Sequence, residues 1–176
     1  MGTMKDSKRT SGRTPFISLT VNDQRYELEV GQGDDKLQVS DTLTHTLRET
    51  LGLTGTKLSC DNGACGCCTV LINGKARLSC MTLTVECDGK EIRTIEGLRD
   101  PKTRSLDPLQ QAFVDHTAFQ CGYCTPGMIM SAKALLNETP HPTEDEVKEA
   151  LSGNFCRCIS HYHVVRAVLA ASEKMR

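Results

Sequence analysis

The 176 residues carry 21 Lys and Arg against 22 Asp and Glu, a net charge of −1, with 4% aromatic residues and no Trp. A charge so evenly balanced supplies no field for nucleic acid or for an anionic membrane surface, and no apolar run approaches the roughly 20 residues that span a bilayer. The length suits one ordinary domain or two small ones.

The opening MGTMKDSKRTSGRT is basic and polar, is followed by no apolar segment and has no Arg–Arg pair. Residues 1–15 therefore read as a disordered tail rather than a secretory or twin-arginine signal. Ile17, Leu19 and Val21 then alternate with Ser18 and Thr20, and beyond Asn22-Asp23 the residues Tyr26, Leu28 and Val30 alternate with Glu27 and Glu29. That period of two on both sides of a polar break predicts a β-hairpin with one buried face. Asp41 is expected to cap a short helix carrying Leu43, Leu47 and Leu51, stopped by Gly52. After a cysteine-rich loop come a strand at 69–72, an Asn73-Gly74 turn, a return strand at 76–79 and a last strand at 91–95.

Residues 97–105, GLRDPKTRS, read as a polar linker, and beyond it the pattern turns helical. Asp107-Pro108 is a cap with a first-turn proline, placing Leu109 and Phe113 on one face. Thr125-Pro126 is expected to repeat the device ahead of Met128, Ile129, Ala132, Leu135 and Leu136. Thr143 with Glu146 makes a capping box before Val147 and Leu151, and Val164, Val165, Val168 and Leu169 mark a last helix. About four helices are enough to close a small bundle. The fold class is α+β, with a small mixed sheet first and helices after it.

Ten cysteines have to be explained. Without an export signal the expected compartment is the cytoplasm, where thiols stay reduced, so metal or cluster binding outranks disulfides. In SCDNGACGCCTV, residues 59–70, Cys60, Cys65 and Cys68 have the spacing C-x4-C-x2-C, and Cys80 follows after eleven residues. This is the plant-type [2Fe–2S] pattern. The oxidised cluster with its four thiolates carries about −2 and reduction adds another negative charge, so backbone N–H groups of a tightly curled loop are its natural counterweight. Gly63 and Gly66 permit that curl. Cys67, wedged between two ligand positions, reads as a small buried thiol, and Cys87 also falls outside the pattern.

A second group lies in the helical half, Cys121-Gly-Tyr-Cys124 and Cys156-Arg-Cys158, the two pairs separated by 31 residues. Cys124 precedes a predicted helix start and Cys158 shortly precedes the last helix, and helix N-termini favour an anionic group. By spacing, a cluster and a tetrahedral zinc site both fit, with disulfide pairing a third possibility.

With both groups in view, CGCCTV (65–70), RLSCMTL (77–83), QCGYCTPGMIMSAKALL (120–136) and LSGNFCRC (151–158) occur in an order that resembles the small iron–sulfur subunit of molybdenum hydroxylases, the xanthine oxidase family. The resemblance runs from about Phe16 to the C-terminus. It implies a β-grasp ferredoxin-like domain at 16–96, a linker at 97–105 and a four-helix bundle at 106–176. It also implies two [2Fe–2S] clusters, one on Cys60, Cys65, Cys68 and Cys80, the other on Cys121, Cys124, Cys156 and Cys158. Electrons would enter at the second, near a molybdopterin on a large partner subunit, and leave by the first towards FAD on a medium subunit, in a heterotrimer that can itself dimerise. Gln120 matches a residue that contacts the pterin. One departure is Ile159-Ser160-His161, where the family reads Thr-Gly-Tyr; His161 and His163 read as helix-start residues rather than cluster ligands. No residue reads as a general base or nucleophile. The competing readings are a free-standing two-cluster electron carrier and a zinc-stabilised interaction module.

Overall fold

The structure, a computed structural model, describes residues 15–33 and 35–174. The expected tail lies outside the described residues except for Pro15. The element order is β1 (Phe16–Val21), β2 (Gln24–Glu29), α1 (Leu43–His45), β3 (Thr69–Ile72), β4 (Lys75–Leu78), β5 (Glu91–Arg93), α2 (Pro108–Asp115), α3 (Thr125–Glu138), α4 (Glu144–Ala150) and α5 (His161–Lys174). The described residues are thus mixed α and β, with a five-stranded sheet and five α-helices.

The sheet order is β2-β1-β5-β3-β4. β1 pairs antiparallel with β2 (Leu19 opposite Tyr26) and parallel with β5, while β3 runs antiparallel to β4 and to β5. Both hairpin turns use residues of positive φ, Asn22 and Asp23 (49° and 69°) and Asn73 and Gly74 (49° and 79°). Two-residue turns of that hand match the twist of the strands they join. Between β2 and β3 the short α1 continues as a wide π-helical turn over Thr46–Thr50.

Four local readings are corrected. α1 is capped by Thr42, whose hydroxyl accepts from His45 N, not by Asp41, whose carboxylate instead accepts from Gln38 N. β4 is Lys75–Leu78, because Ser79 turns away to bond Cys68 O through both its N–H and its hydroxyl. β5 ends at Arg93, since Asn22 takes the Thr94 N–H and a 3₁₀ turn follows at Ile95–Leu98. α3 is capped by Cys124, so Thr125 is its first helical residue rather than its cap.

The apolar residues collect in two cores. Ile17, Leu19, Val21, Val30, Leu43, Leu47, Val70 and Ile92 pack the sheet against α1. Leu109, Phe113, Met128, Ile129, Val147, Leu151, Val164 and Val168 close the helical half. Leu43, Leu47, Leu109 and Met128 are 0% exposed, and burying each such side chain contributes about 1.5–3 kcal/mol. α3 also packs on β3 and β4, which seats one half on the other. Residues 97–105 form a self-bonded loop: Asp100 Oδ1 accepts from Lys102 N and Thr103 N, and Asp100 N donates to Ser105 O. Among the described residues no helix is long and apolar enough to cross a membrane.

Candidate metal centres

The first cysteine group occupies the loop that leads into β3. Asp61, Gly63 and Gly66 all have positive φ, at 52°, 77° and 73°. The loop is tied down at its ends: Thr69 Oγ1 donates to Gly66 O at 2.7 Å, and Ser79 Oγ donates to Cys68 O at 2.6 Å. The second bond brings Cys80, the residue after Ser79, back beside the loop, where its thiol lies against Cys68. Cys60 lies against Cys65 in the same way. The N–H of Asn62, then the Cys65 thiol, hold Cys60 down at about 7, whereas burial, with Cys68 adding to it, pushes Cys80 up to about 11. Four of the sequence-predicted ligand positions are therefore brought together in two pairs.

The fifth sulfur of this stretch is Cys67. It is 5% exposed and packs into the core of the helical half, with burial, then the neighbouring Cys65, raising it to about 12. Cys87, 0% exposed, sits in the sheet core, away from both groups.

The second group is built from the turn before α3 and the turn before α5. Gly122, at φ 83°, bends Cys121-Gly-Tyr-Cys124 so that Cys124 points inward at 8% exposure while Cys121 stays exposed. Across from it, Cys158 Sγ lies 3.8 Å from Cys121 Sγ. Cys124 pairs with Cys156, and burial, then that sulfur, push Cys124 up to about 12. Two backbone N–H groups, of Cys158 and Ile159, donate to Cys156 Sγ at 3.4 Å each. Ile159 thus supplies a donor at the point where the sequence departs from Thr-Gly-Tyr, and its side chain is buried at 8% exposure. His161 and His163 stand exposed on the first turn of α5. Gln120 is exposed beside Cys121.

Among the described residues, no three His, Cys, Asp or Glu side chains gather about one point as a single ion requires. The sulfurs instead lie against one another in chains of contacts: besides those given above, Cys67 lies against Cys65, and Cys156 lies against Cys158 as well as Cys124.

The two groups are neighbours. Phe155 N donates to Cys65 O at 3.0 Å, Asn154 Nδ2 donates to Gly66 O at 3.0 Å, and Tyr123 Oη donates to Leu58 O at 2.5 Å. A Cβ on Gly127 of α3 would collide with Gly66 O, so the helix start and the loop touch backbone to backbone. The joining roles of Asn154, Tyr123 and Gly127 have no signal in the sequence beyond the GN, GYC and TPGM stretches that contain them.

Residues 94–169 match the family model described as "[2Fe-2S] binding domain", and residues 20–121 match "2Fe-2S iron-sulfur cluster binding domain". The chain is 47% identical over 155 residues to the nicotine 6-hydroxylase small subunit of Paenarthrobacter nicotinovorans, covering 88% of each chain. It is 45% identical over 150 residues to a probable xanthine dehydrogenase subunit of Bacillus subtilis, covering 85% of this chain and 80% of the relative. The crystal structure of quinoline 2-oxidoreductase from Pseudomonas putida 86 contains a chain that superposes with a TM-score of 0.82 at 40% identity, over 90% of this chain and 94% of that one. Motifs, paired sulfurs and relatives agree: the chain belongs to the [2Fe–2S] small subunits of the xanthine oxidase family of molybdenum hydroxylases, the iron–sulfur part of an oxidoreductase complex.

Proposed function

We propose that this chain holds two [2Fe–2S] clusters and conducts electrons from a molybdopterin centre on a large partner subunit towards FAD on a medium subunit. Cys60 and Cys65 would hold one iron of the first cluster and Cys68 and Cys80 the other; Cys121 with Cys158, and Cys124 with Cys156, would hold the second. The pairing of the sulfurs fits this donor set, because a diiron centre takes four thiolates shared between two irons. The positive-φ loop at 61–66 and the N–H groups on Cys156 fit an anionic occupant. A [2Fe–2S] cluster supplies one-electron redox chemistry when bound.

The observation that carries the reading is the bond from Phe155 N to Cys65 O, 3.0 Å, which links a residue adjacent to Cys156 directly to a residue of the first group. The chain itself orients the thiols, buries Cys68, Cys80 and Cys124 from water, and leaves Cys121 and Cys158 at the surface. Phe155 (65% exposed) and Tyr123 (46%), next to Cys156 and Cys124 in the chain, leave an apolar rim, which a large subunit would cover. Gln120 on the same rim would meet the pterin. In this reading residues 16–96 are a β-grasp ferredoxin-like domain, 97–105 the connection and 106–176 a four-helix bundle, and the complex is a cytoplasmic heterotrimer able to dimerise.

Anaerobic preparation of the native complex tests this. We expect about four irons and four acid-labile sulfides per chain, two of each for each diiron centre, two distinct EPR signals on reduction, and co-purifying molybdopterin and flavin chains. Zinc in place of iron and sulfide would end the proposal, and two clusters without partner chains would favour a free-standing carrier.

A further inference from the structure

Thr125 Oγ1 is the one buried side-chain oxygen or nitrogen among the described residues that has no hydrogen-bond partner. Other hydroxyls of the core are satisfied: Thr44 bonds Ser79, Thr46 bonds Thr84, and Thr69 donates to Gly66 O. Where threonines cap helices they also find partners, Thr42 accepting from His45 N and Thr143 from Glu146 N. Thr125 does neither. The 14-residue helix α3 takes Cys124 as its cap, which leaves the Thr125 hydroxyl inside the first turn with no cap N–H to accept. Leaving a buried hydroxyl unpaired is unfavourable, so one on the residue that follows Cys124 in the chain, a thiol itself 8% exposed, calls for an acceptor there.

We propose that the Thr125 hydroxyl donates a hydrogen bond to a sulfur of the cluster held by Cys121, Cys124, Cys156 and Cys158, and is a positioning residue that raises that cluster's reduction potential. The sulfurs of an anionic cluster are acceptors, and the open end of α3 already favours negative charge there. Reduction adds one negative charge, so the hydroxyl bond strengthens in the reduced state and favours it. The effect is directional: electrons arriving in the helical half would find a better acceptor because of this hydroxyl. The inference rests on the assignment of that cysteine group to a cluster.

The test is an EPR-monitored redox titration of the native complex and of Thr125→Val and Thr125→Ser. Valine keeps the shape and removes the donor, whereas serine keeps the donor. At a fixed ambient potential we expect Thr125→Val to lower the reduced-to-oxidised ratio of the helical-half cluster by about threefold to tenfold, tenfold being 59 mV for a one-electron couple. Thr125→Ser should stay near the unsubstituted protein, and the other cluster should not move in either variant. Thr125→Ala gives the same reading if the valine variant does not load. A helical-half cluster that titrates unchanged in the valine or alanine variant, or shifts equally with serine, overturns the inference. Absence of any helical-half cluster signal in the unsubstituted complex instead fails the cluster assignment.

Discussion

Asn154 and Gly66, 88 residues apart, meet through a buried bond of 3.0 Å from the Asn154 amide to the Gly66 carbonyl. Gly66 is at φ 73°, and a Cβ there would lie 2.5 Å from both Asn154 Nδ2 and Gly153 O. Gly66→Ala therefore combines left-handed backbone strain with a clash against fixed backbone, a destabilisation of about 2–4 kcal/mol. Because the displaced segment leads to Phe155 and Cys156, both of the proposed clusters should bind less tightly. Denaturant unfolding and the visible absorbance of the loaded chain measure the two effects.

Asn154→Ala should be milder. Gly66 O keeps two other donors, Thr69 N at 3.2 Å and Thr69 Oγ1 at 2.7 Å, so no acceptor is stranded, and the loss is that of one buried bond, about 0.5–1.5 kcal/mol. Unfolding curves for the two variants should separate clearly. Equal curves would show that the amide, not the glycine, holds the halves together.

Much of this fold was legible because it is local. The alternation around Asn22-Asp23, the Asn73-Gly74 turn, the Asp107 cap and the Thr143–Glu146 box depend on residues within a few positions of one another, and each was readable from them. The errors were also local but were decided by distant partners. Ser79 leaves β4 because Cys68 O draws it away, and Asn22 ends β5 by taking the Thr94 N–H. Thr42 displaces Asp41 as a cap because the Asp41 carboxylate is taken by Gln38 N, while its carbonyl is held by Thr84 N from another turn. The spacing C-x4-C-x2-C revealed one cysteine group, but the contact of Gly127 with Gly66 and the bond from Phe155 to Cys65 need a register between the halves that no short motif encodes. Thr125 looked like a cap because threonine before proline usually is one; Cys124 took that place.

Serine in place of any of the eight paired cysteines should remove the EPR signal of its own group while sparing the other at first. Cys67 provides the internal control. Its sulfur is buried in the helical-half core, so Cys67→Ala should keep both signals and lose stability by the order of one buried sulfur, about 1 kcal/mol. Loss of the first signal in Cys67→Ala with its retention in Cys68→Ser would reassign the ligand. Iron content per chain reports the same distinction independently.

Tyr123→Phe removes a single oxygen whose partner, Leu58 O, lies on a residue 36% exposed. Water can replace the hydroxyl, so the stability change should stay within about 0.5–1.5 kcal/mol. The local effect should be larger, because this bond ties the Cys121–Cys124 turn to the segment entering Cys60. Backbone amides of residues 57–60 should exchange with solvent faster in the variant, as read by hydrogen–deuterium exchange. Unchanged exchange there would mean that packing alone fixes the approach of the two turns.

The Lys133–Asp107 pair should respond unequally to removal of its two ends. Lys133 Nζ lies 2.7 Å from Asp107 Oδ2, with side chains 15% and 11% exposed, so neither charge is well hydrated. Asp107 has a second task, accepting from Leu109 N at 2.8 Å as the cap of α2. Lys133→Met leaves a carboxylate that still holds its cap bond and can take up water at the helix start, where negative charge is favoured. Asp107→Ala removes the cap, about 1 kcal/mol, and strands a mostly buried ammonium, for which breaking such a pair costs about 3–5 kcal/mol. Asp107→Asn, keeping the cap but not the charge, should fall between them. Urea unfolding of the three variants should give the order Lys133→Met, Asp107→Asn, Asp107→Ala in increasing loss. If the methionine variant lost as much as the alanine variant, the ion pair rather than the cap would be what secures α2 to α3.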